Sequence, residues 1–156
     1  MTAAAGAAGA ARTAAAAAPR RDPIEAPSTF VTGAGFVPEE TSAERVTGSI
    51  ELGPAHHTPW GIVHGGVYCS AIETAASIGA TTAVLDRGQV AVGLTNTTNF
   101  LRALSEGRVR VEAVALYQGR IHQLWRADIT DPSGRLVAHG EVRLQNVDAV
   151  PDHPGH

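Results

Sequence analysis

The stretch Trp60-Gly61-Ile62-Val63-His64-Gly65-Gly66 runs into a segment that holds Glu73 and Ser77, and together these are the residues of the chain best suited to chemistry. A helix N-terminus presents unpaired backbone N–H groups and a partial positive charge, and glycines there let a carbonyl oxygen approach and be polarised. An oxyanion hole is made this way. Glu73 and Ser77 are four residues apart, so on a helix they share a face, and a hydroxyl can bond the carboxylate or a water beside it. Each feature also has a plainer reading. Gly65-Gly66 is ordinary turn chemistry, His64 fits a structural histidine, and Ser77 is simply small. Glu73 is harder to set aside, because an unpaired carboxylate is costly to bury in the middle of an uncharged helix. It needs an Arg partner, a solvent-facing position, or a place at a reaction centre.

Spacing restricts how these groups can cooperate. Gly65 and Glu73 are eight residues apart, which on a helix is about 12 Å, more than one Glu side chain closes. If the Gly65 N–H polarises a carbonyl and Glu73 attacks it or activates water, the two groups come from different protomers with antiparallel helices. The expected unit is then a dimer with two equivalent interfacial sites.

The elements that must position these residues follow from pattern. Residues 43–52 place Val46, Ile50 and Leu52 on one face of a strand, with Arg45 and Glu51 opposite. Residues 65–85 lack Pro, carry few charges and are apolar almost all round through Val67, Ala71, Ile72, Ala75, Ile78 and Gly79, which predicts a buried helix. After a turn at Asp86-Arg87-Gly88, strands are expected at 89–101, 108–117, 121–130 and 135–146, with turns at Gln118-Gly119-Arg120 and Asp131-Pro132-Ser133-Gly134. Four consecutive strands with short links predict an antiparallel meander, and strand, helix and four strands predict an α+β domain with a sheet packed on the helix.

Composition sets the outer limits. A chain of 156 residues fits one domain, and aromatics at 4% mean a core of Val, Ile, Leu and Ala. The formal charge is -3 and the 12 basic residues, all Arg, are scattered, so neither nucleic acid nor an anionic membrane is the expected partner. Lone Cys69 fits a reducing compartment, here read as the cytoplasm. The seven His are dispersed, and His56-His57 has no further ligands at metal spacing, so no metal or cofactor is expected. Residues 1–27, mostly Ala, read as a disordered tail, and 149–156 as a frayed end.

HGGVYCSAIETAAS resembles the His-Gly-Gly and helical-Glu motif of hotdog-fold acyl-CoA thioesterases. FLRALSEGRVRVEAVALYQGR followed by WRADITDPSGRLVA is similar to the second half of the same proteins. The resemblance covers roughly 43–146, within a domain drawn at 28–148. It is closest to the phenylacetate-pathway-type subgroup that includes 4-hydroxybenzoyl-CoA and dihydroxynaphthoyl-CoA thioesterases. It implies an antiparallel sheet wrapped around one long helix, dimers that pair into tetramers, and hydrolysis of an aryl-CoA thioester. It implies Glu73 as nucleophile or general base, the Gly65 N–H as oxyanion donor, His64 orienting the thioester, and Ser77 assisting the carboxylate or its water. Gly66, Thr58, Tyr68 and Phe100 are the expected acyl contacts, and Arg102 and Arg120 the expected CoA contacts. Thr58 stands where the subgroup commonly has a longer Gln, and Ala103 where a Pro usually follows the Arg.

Three other readings compete. A non-catalytic acyl-CoA-binding or sensing module on the same fold would lack the helical acid or carry a DNA-binding domain. A hydratase would need an Asp partner for His64. An interaction protein would keep Glu73 for structure alone.

Overall fold

The computed structural model describes residues 28–149; the Ala-rich tail expected at 1–27 and most of the expected C-terminal tail, 150–156, lie outside the described residues. A short helix α1, Thr29–Ala34, begins at Ser28, whose hydroxyl accepts from the Val31 N–H, and ends at Gly35 in the left-handed conformation. Strands β1, Val37–Thr41, and β2, Arg45–Leu52, follow, then a 3₁₀ turn at Pro54–His56 and the long helix α2, Gly65–Thr82. The remainder is β3, Gln89–Phe100, β4, Gly107–Gln118, β5, His122–Thr130, and β6, Leu136–Asp148.

The expected α+β architecture is present, with two differences. Neither α1 nor β1 was expected from sequence. No residue of α1 is buried and β1 is nearly all exposed, so neither carries an apolar period. The larger correction concerns pairing. The sheet order is β1-β2-β4-β5-β6-β3, so only β4, β5 and β6 form a meander, and β3 pairs with β6 rather than with β4. Alternation identifies a strand but not its neighbour. The link 101–106 carries the chain from one edge of this group to the other, tied down where the Leu101 and Arg102 N–H groups donate to the Val137 carbonyl and the Val63 N–H to that of Leu104.

Helix α2 lies in the concave face of the sheet and contacts all six strands. Its buried side is built largely from small residues, Ala71, Ala75, Ala76, Gly79 and Ala80, with Tyr68, Ile72 and Ile78. The sheet answers with Val109, Val111, Ala113, Trp125, Ala127, Ile129, Val142 and Leu144. Fully buried Trp125 lies directly over Gly79. Its indole N–H donates to Gln123 Oε1 at 3.1 Å, and the Gln123 amide donates at 2.8 Å both to the Ala80 carbonyl and to Asn146 Oδ1. A buried glutamine therefore satisfies an orphan carbonyl of the last turn of α2.

At the β5–β6 turn Asp131 is buried and accepts from the Ser133 hydroxyl, the Ser133 and Arg135 backbone N–H groups and the Arg135 guanidinium. These donors, the Ser133 hydroxyl foremost, hold its carboxyl well below the usual range.

Two outcomes follow from this packing. In Gly79→Ala the new methyl would lie 2.7 Å from Trp125 Cζ3 in a site with no room to yield. The variant should lose about 2 kcal/mol in urea denaturation despite its better helix propensity. Asp131 binds its proton less readily folded than unfolded, so its contribution is complete above the ordinary Asp value of about 3.9 and disappears as pH falls below it. The stability gap between the natural chain and Asp131→Asn, followed by thermal melting, should be constant from neutral pH to about pH 4 and shrink only below that.

Candidate active site

The path into α2 is strapped at each residue. The Thr58 N–H donates to the Ile62 carbonyl at 2.7 Å and that of Gly61 to Thr58 at 3.0 Å, closing a turn in which Gly61 takes φ +75°. The Thr58 hydroxyl accepts from the Trp60 N–H, so this shorter substitute for a glutamine is spent on its own turn, and Trp60 stands 83% exposed. His57 bridges to Val63, and the His64 N–H donates to the His56 carbonyl at 2.8 Å. The chain thus arrives at α2 with its orientation fixed.

His64 is the N-cap. Its Nδ1 accepts from the Gly66 N–H at 2.9 Å and its carbonyl from the Val67 N–H at 3.0 Å. With Nδ1 accepting, a neutral ring carries its proton on Nε2, and the residue is exposed. The Gly66 N–H is therefore engaged already, whereas that of Gly65 has no acceptor among the described residues. The Phe100 ring lies over Gly65, where a Cβ would come within 2.7 Å of its Cζ. The bare Cα lets the exposed Phe100 ring close over the helix end.

Two turns further on, half-buried Glu73 faces β3. Its Oε2 accepts from Asn96 Nδ2 at 2.9 Å, and the same amide donates to the Cys69 carbonyl at 3.1 Å. The Thr98 hydroxyl donates to Asn96 Oδ1 at 2.7 Å. Two acceptors on one side and a donor on the other fix which end of the amide is nitrogen. A Cβ at Gly93 would overlap Glu73 Oε1, so the carboxylate rests against bare backbone. Gly93 and Asn96 are three apart and would point to opposite faces of a regular strand. The β3–β6 register shifts between Gly93 and Thr95, and this bulge turns both toward α2. No Arg pairs with Glu73, and the Ser77 hydroxyl, on the same helix face, forms no hydrogen bond with it among the described residues.

The other expected contacts divide by position. Tyr68 is 2% exposed, its ring 6.4 Å from that of Phe100, and its hydroxyl has no partner among the described residues; burial pushes that hydroxyl's pKa up. Exposed Arg102 follows β3 at the Gly65 end. Exposed Arg120 lies in the β4–β5 turn, where its carbonyl accepts from Asn146. Phe100 pairs with Ala138, and from Ala138 to Asn146 along β6 is about 26 Å, so Arg120 is at the far end of the sheet from its own protomer's Gly65. Asn96, Thr98 and Gly93 were missed from sequence. Their one signal is a polar run, Thr95-Asn96-Thr97-Thr98-Asn99, inside a strand that packs on an apolar helix.

Comparison with known proteins identifies relatives of the chain. A family model described as the thioesterase superfamily matches residues 61–138. A Mycobacterium tuberculosis protein named "Putative esterase" is 47% identical over 93 residues, 58% of this chain and 66% of its own length, just under two thirds. Its solved structure superposes with a TM-score of 0.76 at 39% identity, covering 80% of this chain and all of that one. The Bacillus subtilis protein named "Putative esterase ComA2" is 31% identical over 74% of this chain and 92% of its own. The 1,4-dihydroxy-2-naphthoyl-CoA hydrolase of Escherichia coli is 39% identical over 54% of this chain and 61% of its own.

The contact at Gly93 has a direct consequence. In Gly93→Ala the obstacle is the tip of a flexible side chain, so the carboxylate and not the fold should give way. Thermal stability should stay close to that of the natural chain, while a crystal structure of the variant shows the Glu73–Asn96 bond broken.

Proposed function

The chain belongs to the thioesterase superfamily and has its hotdog fold, and from that premise we propose that it hydrolyses an acyl-CoA thioester, its acyl group an aryl one, to the free acid and CoA. The observation that carries this is the ordered carboxylate of Glu73, held midway along the helix on the side of the open sheet edge. An aryl acyl group draws support from the Escherichia coli relative, whose name gives a naphthoyl-CoA substrate.

The Gly65 N–H stabilises the oxyanion formed when the thioester carbonyl is attacked. In one route Glu73 takes a proton from water as the water oxygen adds; collapse breaks the C–S bond, and the proton passes to the departing CoA thiolate. In the other, a Glu73 oxygen attacks and expels the thiolate, and water then hydrolyses the mixed anhydride. Both use the same groups. His64 presents Nε2–H to the thioester, Ser77 lies within reach of the water, and Gly66 holds the His64 cap. Tyr68, Phe100 and Thr58 border the acyl group, and Arg102 meets the CoA phosphates.

The working unit is a homodimer, pairing further into a tetramer, in the cytoplasm. Its support is twofold. Gly65 and Glu73 of one chain are about 12 Å apart on α2. The full-length edge strand β3 leaves Val92, Leu94 and Phe100 exposed, and an apolar exposed edge is a template for pairing. Arg120 serves a site only when another copy supplies it.

Thiol release from a panel of aryl and aliphatic CoA thioesters should fall about 100-fold or more in folded Glu73→Gln. A natural chain that binds these esters and hydrolyses none is a binding module instead. Shared sites make a second prediction. Gly65→Pro removes the N–H at a helix position that tolerates proline, and Phe100 is exposed enough to move. Co-expressed with Glu73→Gln, the two inactive chains should recover about a quarter of the natural turnover, since half the dimers are mixed and each holds one intact site.

A further inference from the structure

We propose that Asn96, aimed by Thr98, is a positioning residue that holds Glu73 Oε2 and leaves Oε1 as the reacting oxygen. This rests on the catalytic role given to Glu73 above, and it assigns to β3 a part in the chemistry beyond supplying an edge.

The amide of Asn96 spans one turn of α2. One N–H meets the Cys69 carbonyl and the other the Glu73 carboxylate, four residues on. A side chain tied to the backbone of the same helix cannot follow Glu73 if it swings, so it selects one orientation of the carboxylate. The two acceptors fix the amide nitrogen toward α2, and Thr98 removes the remaining freedom by donating to Oδ1 and holding the far end of the amide in place. The two carboxylate oxygens are thereby made unequal. Oε2 has a donor, whereas Oε1 lies over the bare Cα of Gly93 with no hydrogen bond among the described residues. Orientation of this kind acts on the rate after binding, because the reacting oxygen must be within about 3–3.5 Å of its target along one direction.

The bulge shows that the arrangement requires a departure from regular strand geometry. Without the register shift between Gly93 and Thr95, Gly93 and Asn96 could not both face the helix, and either the contact or the donor would be lost. Two polar residues and a glycine in an edge strand thus form a cradle for one carboxylate.

The test measures kcat and KM separately in the full chain for Asn96→Leu, Asn96→Asp, Thr98→Val and the Asn96→Leu/Thr98→Val double variant. Asn96→Leu should lower kcat about 10- to 100-fold with KM changed less than about 3-fold. Asn96→Asp keeps the size but replaces the donor with a second carboxylate, and should lose at least as much; a role in packing alone would make it the milder change. Thr98→Val should cost several-fold by itself and nothing further in the Asn96→Leu background, because it acts through the amide. Thr98→Val exchanges one β-branched residue for another in a strand, so it remains informative if a change at Asn96 impairs folding. The proposal falls if Asn96→Leu turns over as the natural chain does while Glu73→Gln is inactive, or if the two changes multiply. If Glu73→Gln itself is fully active, the catalytic role of Glu73 falls first, and that result is separate.

Discussion

The close seating of α2 in the sheet is the constraint on which the rest depends. A helix can approach a sheet this nearly only if the side facing it is built from small residues, and Ala71, Ala75, Ala76, Gly79 and Ala80 provide that side. The strands then curve around the helix, and the space left at Gly79 is filled by Trp125. Six strands surround the helix incompletely, so its flank beside the edge strand β3 is where a polar residue can lie without being sealed from solvent. Glu73 occupies that flank. Its position in an apolar helix is thus a result of how far the sheet reaches around.

The two ends of α2 are treated in opposite ways. At the C-terminal end the Ala80 carbonyl is met by buried Gln123, itself held by Trp125, Asn146 and Gln118, so the negative end of the helix is quenched inside the fold. At the N-terminal end His64 and its carbonyl satisfy Gly66 and Val67, and the Gly65 N–H is left over. Capping here does more than stabilise: by engaging the neighbouring N–H groups it leaves a single donor at a defined place.

Much of this was legible in the sequence because it is written in local patterns. The helix, the strands from β2 to β6 and the turns at Gly119 and Asp131 follow from periodicity and turn residues, and Glu73 stood out as a charge in an uncharged helix. What was not legible depends on distant partners. β3 pairs with β6 across 38 to 59 residues of chain, and nothing within β3 names that neighbour. Asn96 was passed over because a bulge between Gly93 and Thr95 broke the period of two, so its direction could not be deduced by counting from Val90. α1 and β1 bury too little to leave a pattern.

Helix α2 and strand β3 run in opposite directions with different rises per residue, and they match at two points. Gly65 lies under Phe100, and Glu73 meets Asn96. Eight residues of helix, about 12 Å, correspond to four residues of strand, about 13 Å. The two elements therefore work as a vernier with both marks in use. Lengthening or shortening either by one residue would misalign one mark and, in the strand, turn the side chains over. Such a scaffold is closed to insertion and deletion along its central pair. Change beside this pair is left to side-chain size at fixed positions and to the two loops beside the helix end, residues 58–62 and 101–106.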